Sequence, residues 1–576
     1  MVPTEINFGI WDYVIVVLVM LISASIGVYY RFTGGRQKTM QEYLLADKNM
    51  SIIPVAVSLM ASFMSAVTLL GVSSENYTFG FQFIVINISY GIFTPVAAYV
   101  YLPIFFRLQL TSAYEYLELR FGKTARITAS LAYTFQMTLY MGIVVYAPAL
   151  AMEALTGISR VAAVLSMGLV CTFYSTIGGM KAVLITDIFQ SALMFVSVYS
   201  VIFGALSEKS FAEIWRIAEQ GGRTDLLNFD IDPTVRHSWF TLIIGGGITF
   251  LSLYGVNQVQ VQRYLTIKDL KGAQKALWLN WPILTALSLS TSFAGLCIYS
   301  KYFDCDPVKS GYISTSDQLM PYFVIDTMGK IPGLSGLFVA GIFSAALSTV
   351  SSALNSLAAV TMEDYYKPLY RCITGHEISS KSASFQAKLV ALLYGLVCVG
   401  VTFLAENLGG VLQAALTIFG IIGGPLLGLF SLGMFSLTAN EGGAVSGVTL
   451  GCALASWMAF GPKPPAPVLP TSIAGCNLTT LAEESFFNMD VNATDSSQYL
   501  WVYRVSYLYN GVAGLLTTFL AGFLISWVIR LACGKTINQE NYDSRLFIPM
   551  IAKKVEKINI NKTNLKINEP TAQVKQ

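Results

Sequence analysis

The chain has 576 residues, 54% of them apolar and only 12% charged, with a mean hydropathy of +0.59 and a formal net charge of +3. A soluble protein of this size carries about 25% charged residues, and so small a net charge gives no footing to a nucleic-acid partner. The two histidines, His237 and His376, lie in polar connecting stretches, and the eight cysteines form no CxxC pair or zinc spacing, so no His-based relay or zinc centre is expected.

Repeated apolar runs of about twenty residues predict an all-α polytopic membrane protein with a single transmembrane domain over residues 1–531. In chain order the runs are about 10–30, 51–74, 81–106, 127–152, 161–178, 183–206, 239–262, 274–299, 332–360, 387–405, 411–436, 444–461 and 505–531, thirteen in all. An odd number puts the termini on opposite sides. With the N-terminus outside, 26 Lys and Arg fall in cytoplasmic loops and the tail against 10 outside, the bias expected of that orientation. The N-terminus has no basic region ahead of its apolar run and does not read as a cleaved signal peptide.

The longest external loop, 462–504, carries Asn477-Leu-Thr479 and Asn492-Ala-Thr494, glycosylation acceptors on the matching side. Cys305 and Cys476 both fall outside, in an oxidising setting, and are candidates for a disulfide whose feasibility depends on their separation. Residues 532–576 are polar and Lys-rich without an apolar period, and are expected to form a disordered cytoplasmic tail.

Leaving out the first run and the last two gives two sets of five, about 51–206 and 239–436. Five is odd, so the second set starts from the opposite side, and any likeness between the sets would be an inverted repeat. Each set opens on a run interrupted at mid-span. The first has Ala61-Ser62-Phe63-Met64-Ser65; the second has Gly245-Gly246-Gly247, then Tyr254-Gly255-Val256-Asn257-Gln258. Breaks at matching positions point to a midplane site, because unwound backbone frees its polar groups for ligands; glycines that only let helices approach closely are the competing account.

The stretch 341–364, which overlaps the ninth run, carries Ser344, Ser348, Ser351, Ser352 and Asn355 on one helical face, with Thr349 beside them. Two readings are open: a seam of small side chains against neighbouring helices, or oxygens presented to a hard cation such as sodium.

Six stretches in order (ASFMSAVTLLG at 61–71, LTSAYEYLELRFG at 110–122, YSTIGGMKA at 174–182, LYGVNQVQVQRYL at 253–265, LSTVSSALNSLAAVTMED at 347–364 and GGPLLGLFSLGMF at 423–435) resemble the sodium/solute symporters. That family includes sodium–glucose, sodium–iodide, monocarboxylate and multivitamin transporters. The likeness runs from about Asp12 to Arg530 and is strongest to the iodide, monocarboxylate and multivitamin subgroup, through YAPAL at 146–150 and CDP at 305–307. It implies two inverted five-helix repeats (a LeuT-like fold) and transport by alternating access at the plasma membrane, with sodium as co-transported substrate and no cofactor.

Carried over by position, the resemblance assigns one sodium to the carbonyls of Ala61, Met64 and Ala345 and the hydroxyls of Ser348 and Thr349. Ser65, Thr68 and Tyr140 match a second sodium site, and Phe63, Tyr90, Asn257, Leu416 and Thr417 match the substrate cavity. Ordinary helix packing is an equal account of Phe63, Tyr90 and Leu416. Sugar transport is disfavoured, because Phe63 and Thr68 replace the polar side chains that a ring of hydroxyls needs. With no Lys or Arg at mid-membrane, a small organic anion, a monocarboxylate or a carboxylate vitamin such as biotin or pantothenate, would rely on broken-helix termini and the sodium ions. An iodide or other inorganic anion carrier and a non-transporting sensor are the alternatives. A membrane enzyme would need a nucleophile, paired carboxylates or a metal cluster at one depth, and the runs hold none. No obligatory protein partner is implied.

Overall fold

The structure is a computed structural model and describes residues 8–33, 40–405, 410–476, 498–534 and 542–568. Apolar side chains with no water-facing alternative make helices here, since hydrocarbon demands that every backbone polar group be bonded within its own segment. The spans are α1 (Ile10–Phe32), the bent pair α2 (Ile52–Phe63) and α3 (Ala66–Phe79), α4 (Phe81–Leu108), α5 (Lys123–Thr156) and α6 (Arg160–Glu208). There follow the bent pair α7 (Thr241–Tyr254) and α8 (Gln258–Tyr264), then α9 (Leu270–Tyr302), α10 (Leu334–Thr374), α11 (Ser380–Ala405), α12 (Val411–Phe435), α13 (Glu441–Phe460) and α14 (Tyr507–Cys533). No strand occurs among the described residues.

Ten single helices and two bent pairs have the length and apolarity of membrane spans, twelve where the sequence suggests thirteen. The difference lies at 161–178. That run is the first part of α6: Arg160–Phe173 is apolar but too short to count as a span by length. Gly179, whose φ of 63° only glycine adopts without strain, divides it from the span Gly179–Glu208, so α6 is two helices and the first set keeps its five segments.

Burial sorts the spans. Helices α5, α10 and α12 are enclosed by protein, whereas α1 and α14 keep most of their surface outward. The last two spans are joined by a small-residue seam. A Cβ at Gly447 of α13 would stand 2.6 Å from the Thr518 carbonyl and 2.8 Å from the Gly522 Cα of α14, so only glycine permits this approach.

Both bends fall where the sequence interrupts the apolar runs: α2 and α3 meet at 59°, α7 and α8 at 58°. At the first, Met64 (ψ 93°) and Ser65 (ψ 177°) are extended. At the second, Asn257 is extended (ψ 134°) and its side-chain oxygen accepts the Val259 N–H at 2.9 Å, starting α8.

Outside the spans, Cys305 and Cys476 are bonded, their Cα atoms 4.9 Å apart. The bond ties the start of the 462–504 loop to the segment after α9, where the Asp306 N–H also donates to the Ser472 carbonyl at 2.8 Å. Asn477 and Asn492 lie outside the described residues.

The expected disordered tail needs correcting over 542–568. Helix α15 (Pro549–Asn568) follows a buried anchor, Leu546-Phe547-Ile548. The Tyr116 hydroxyl donates to the Leu546 carbonyl at 3.1 Å, and the Arg120 guanidinium lies 4.9 Å from the Phe547 ring centroid. A lysine-rich average composition conceals three consecutive apolar residues, and those suffice to dock the segment.

Candidate ion and substrate site

The α2–α3 break leaves a carbonyl without its usual partner. In an unbroken helix the Ala61 carbonyl would accept the Ser65 N–H; here it accepts the Ser348 hydroxyl of α10 at 2.9 Å. That hydroxyl also lies 3.0 Å from the Ala345 carbonyl, which accepts Thr349 Oγ1–H at 3.2 Å. Ala61, Met64, Ala345, Ser348 and Thr349 are all essentially buried, between 0 and 2% exposed. The Ala61 and Ala345 carbonyls and the Ser348 and Thr349 hydroxyls thus meet between α2 and α10 without a carboxylate among them, with Met64 buried at the adjoining break. Neutral oxygens of this kind suit a monovalent hard cation and are poor for a divalent one.

The rest of the serine face divides. Ser351 and Ser352 turn back on the Ser348 carbonyl, at 3.1 and 2.5 Å, and Asn355 Nδ2–H donates to the Ser351 carbonyl at 2.8 Å. Ser352 also receives a hydrogen bond from Arg263 of α8. Arg263 is fully enclosed. It donates through Nε to Ser58 at 2.8 Å, through Nη1 to the Val259 carbonyl at 2.9 Å, and stands 3.4 Å from Asp187 of α6, which itself accepts the Ser58 hydroxyl at 2.5 Å. One network thus joins α2, α6, α8 and α10 directly behind the oxygen cluster. Asp187 and Arg263 are 76 residues apart in the chain; their pairing depends on chain crossings that spacing does not reveal.

A cavity of about 50 Å³ opens beside the break, lined by Ser62, Phe63, Ser65, Thr68, Tyr140, Asn257, Gln260 and Leu416 among others. The Tyr140 hydroxyl donates to Ser65 Oγ at 3.3 Å, and Thr68 shares their cavity, so the three residues matched to a second sodium stand together. Of the five matched to substrate, Phe63, Asn257 and Leu416 line the cavity. Tyr90 stands one layer back, its ring edge-on to Phe63 at 5.7 Å and stacked on Phe250 at 5.3 Å. Thr417 is not among the lining residues. Sequence reasoning did not single out Ser62 and Gln260, although a glutamine at membrane depth three residues past a break is a signal of its own.

Charged clusters lie toward the two ends of this axis. Toward one end Glu75 of α3 pairs with Arg236 at 2.7 Å and His237 at 3.1 Å, and Arg236 also donates to Gln413 of α12 at 3.0 Å. Burial pulls the His237 imidazole below its ordinary pKa, against the opposing hydrogen bond to Glu75. Toward the other, Arg126 of α5 pairs with Glu118 and Asp364 at 2.6 Å each, around a cavity of about 690 Å³. There burial, then the neighbouring Glu363, pushes the Glu115 carboxyl up to about 7.

An all-helical bundle with two bent spans crossing beside a buried oxygen cluster has the architecture of a secondary carrier. The chain matches a solved Na+-coupled sialic acid symporter, in a substrate-bound outward-open state, with a TM-score of 0.74 at 24% identity, covering 91% of this chain and 98% of that one. Residues 43–451 match the model of the sodium:solute symporter family. A Drosophila melanogaster protein assigned as a sodium-dependent multivitamin transporter is 53% identical over 96% of this chain and 93% of its own length. Sodium-coupled monocarboxylate transporter 1 of Mus musculus is 44% identical (90% and 87%), and sodium-coupled monocarboxylate transporter 2 of Homo sapiens 41% (92% and 86%). The chain belongs to the sodium:solute symporter family: it is a multi-pass, sodium-coupled solute transporter and not an enzyme.

Proposed function

We propose that the protein imports a small organic monocarboxylate, or a carboxylate vitamin such as biotin or pantothenate, together with sodium across the plasma membrane. The N-terminus and the glycosylation acceptors Asn477 and Asn492 lie outside and the C-terminus inside, in keeping with the distribution of Lys and Arg. The two five-span sets, related by inversion, rock about the paired breaks, so that the Glu75–Arg236 and Arg126–Asp364 clusters alternate as outer and inner closures. One sodium sits among Ala61, Met64, Ala345, Ser348 and Thr349, and a second among Ser65, Thr68 and Tyr140.

The observation that carries this reading is that none of the fifteen residues lining the cavity is charged. An anion entering such a site has no fixed cation to meet it. The two sodium ions supply the positive potential, so ion and anion each lower the other's cost of leaving water, and each must strengthen the other's binding by the same factor. The names of the relatives agree with a carboxylate: multivitamin transport in one, monocarboxylate transport in the others. Radiolabelled uptake of biotin, pantothenate, lactate, nicotinate and iodide into cells expressing the chain tests it. Saturable carboxylate uptake that collapses when choline replaces sodium is the expected result. Unchanged flux in choline would sink sodium coupling, and uptake of iodide alone would sink the carboxylate.

A further inference from the structure

We propose that Ser62 and Gln260 form the subsite that receives the substrate's carboxylate, an inference that rests on the carboxylate reading above. The cavity holds six side chains with an N–H or O–H to offer: Ser62, Ser65, Thr68, Tyr140, Asn257 and Gln260. Ser65, Thr68 and Tyr140 stand together, with Tyr140 already donating to Ser65, and are the residues proposed above for the second cation. Asn257 accepts the Val259 N–H through its Oδ1, which fixes its amide in place beside the pair and leaves its Nδ2–H to support the same ligand.

Ser62 and Gln260 differ from these in how poorly they are satisfied. Gln260 Nε2–H reaches Ser62 Oγ at 3.2 Å and the Leu59 carbonyl at 3.4 Å, and the Ser62 hydroxyl reaches Gln260 Oε1 at 3.4 Å and the Leu59 carbonyl at 3.1 Å. Each of these sits at or beyond the long end of ordinary hydrogen bonding. The two side chains are 2% and 6% exposed, so bulk water does not make up the difference. Two buried donors held by long, mutually shared bonds lose little by turning to a stronger acceptor. A carboxylate, with two oxygens in one plane, accepts from both at once in charge-assisted bonds.

The placement gives the subsite a mechanical role. Ser62 lies just ahead of the first break and Gln260 just past the second, on α8. A carboxylate between them bridges the two bent spans, while Phe63, Met137, Leu253, Leu416 and Phe419 offer an apolar wall to the rest of the molecule. A neutral pair of donors also explains how the empty carrier can close: without a fixed charge, the contracted cavity carries no unpaired ion through hydrocarbon.

The test compares wild type with Gln260→Leu, Gln260→Glu and Ser62→Ala in the full chain, using nicotinate and biotin as probes and nicotinamide as an uncharged competitor. Gln260→Leu is expected to raise the KM for both acids at least tenfold and to abolish the preference for nicotinate over nicotinamide. Gln260→Glu should stop acid uptake while sodium still protects the purified protein against thermal unfolding, and Ser62→Ala should raise KM about threefold. That protection also shows that the variants fold. Wild-type KM and wild-type discrimination in Gln260→Leu and Ser62→Ala would overturn the subsite alone. A wild type that carries neither acid would overturn the subsite and the carboxylate reading together.

Discussion

The two broken spans bend by nearly the same angle, yet they use their breaks in opposite ways. The first break is bare. Its Ala61 carbonyl is released toward Ser348, and Met64 and Ser65 supply extended backbone with no side chain reaching back to close it. The second is stitched. Asn257 caps its own helix, Gln258 accepts the Ala113 N–H at 2.7 Å and donates to the Thr111 carbonyl at 2.8 Å, Gln262 donates to the Leu44 carbonyl at 2.8 Å, and Arg263 joins Ser58, Ser352 and Asp187. One break is left open and the other is bound into the scaffold. Two spans that look alike as interrupted apolar runs thus have different work: one frees its backbone, the other fixes where the free backbone points.

The contrast predicts where damage is greatest. Arg263→Met should be the most severe change, because it strands Asp187 fully buried without its cation; removing one partner of a buried ion pair costs about 3–5 kcal/mol. The expected outcome is loss of mature protein at the surface, read by surface labelling against total expression. Asp187→Asn combined with Arg263→Met should recover much of that loss, since the pair is then gone rather than broken. A single Arg263→Met variant with normal surface abundance would show that the second break is not the anchor.

Gln258→Leu comes next. It leaves the buried Ala113 N–H without its partner, at about 1–3 kcal/mol for a buried group left unsatisfied, and frees the half-buried Thr111 carbonyl at smaller cost. Reduced thermal stability of the purified protein is expected, together with a lower uptake rate at unchanged sodium dependence. A shift in sodium dependence instead would mean that the two breaks are not separable.

The sequence made the bent spans legible because both interruptions are local: a polar run in one, glycines followed by Asn and Gln in the other. The serine face of α10 was legible only as a choice between seam and site. Spacing assigns Ser344 and Ser348 to one face but not which of them meets a broken backbone, and that depends on α2 crossing α10 at Ala61. The Asp187–Arg263 pair, 76 residues apart, was hidden for the same reason. The tail was misjudged because Leu546, Phe547 and Ile548 gain their burial from a crevice floored by the short helix Glu115–Arg120 and the end of α12, about which the tail's own composition says nothing. Local backbone preference was readable; tertiary crossings were not.

The smallest of the three effects on stability, and the most specific, belongs to the open break. Ser348→Ala with Thr349→Ala removes two hydroxyls and leaves the carbonyls in place. Neither hydroxyl holds the scaffold alone: Ser348 shares one proton between the Ala61 and Ala345 carbonyls, and Thr349 makes a single 3.2 Å bond within its own helix. Surface abundance should therefore stay near wild type. A sodium ion at this place would lose two of its five oxygens, and the sodium concentration for half-maximal uptake should rise about tenfold, equivalent to about 1.4 kcal/mol. Because the coupling is reciprocal, the apparent affinity for the anion at fixed low sodium should fall with it and recover as sodium is raised. Recovery at high sodium separates a weakened ion site from a damaged anion site, which sodium would not rescue. Normal sodium dependence in this double variant would return the serine face to the other reading, a packing seam with no ion in it, and would leave the first break as bare backbone without a ligand to explain it.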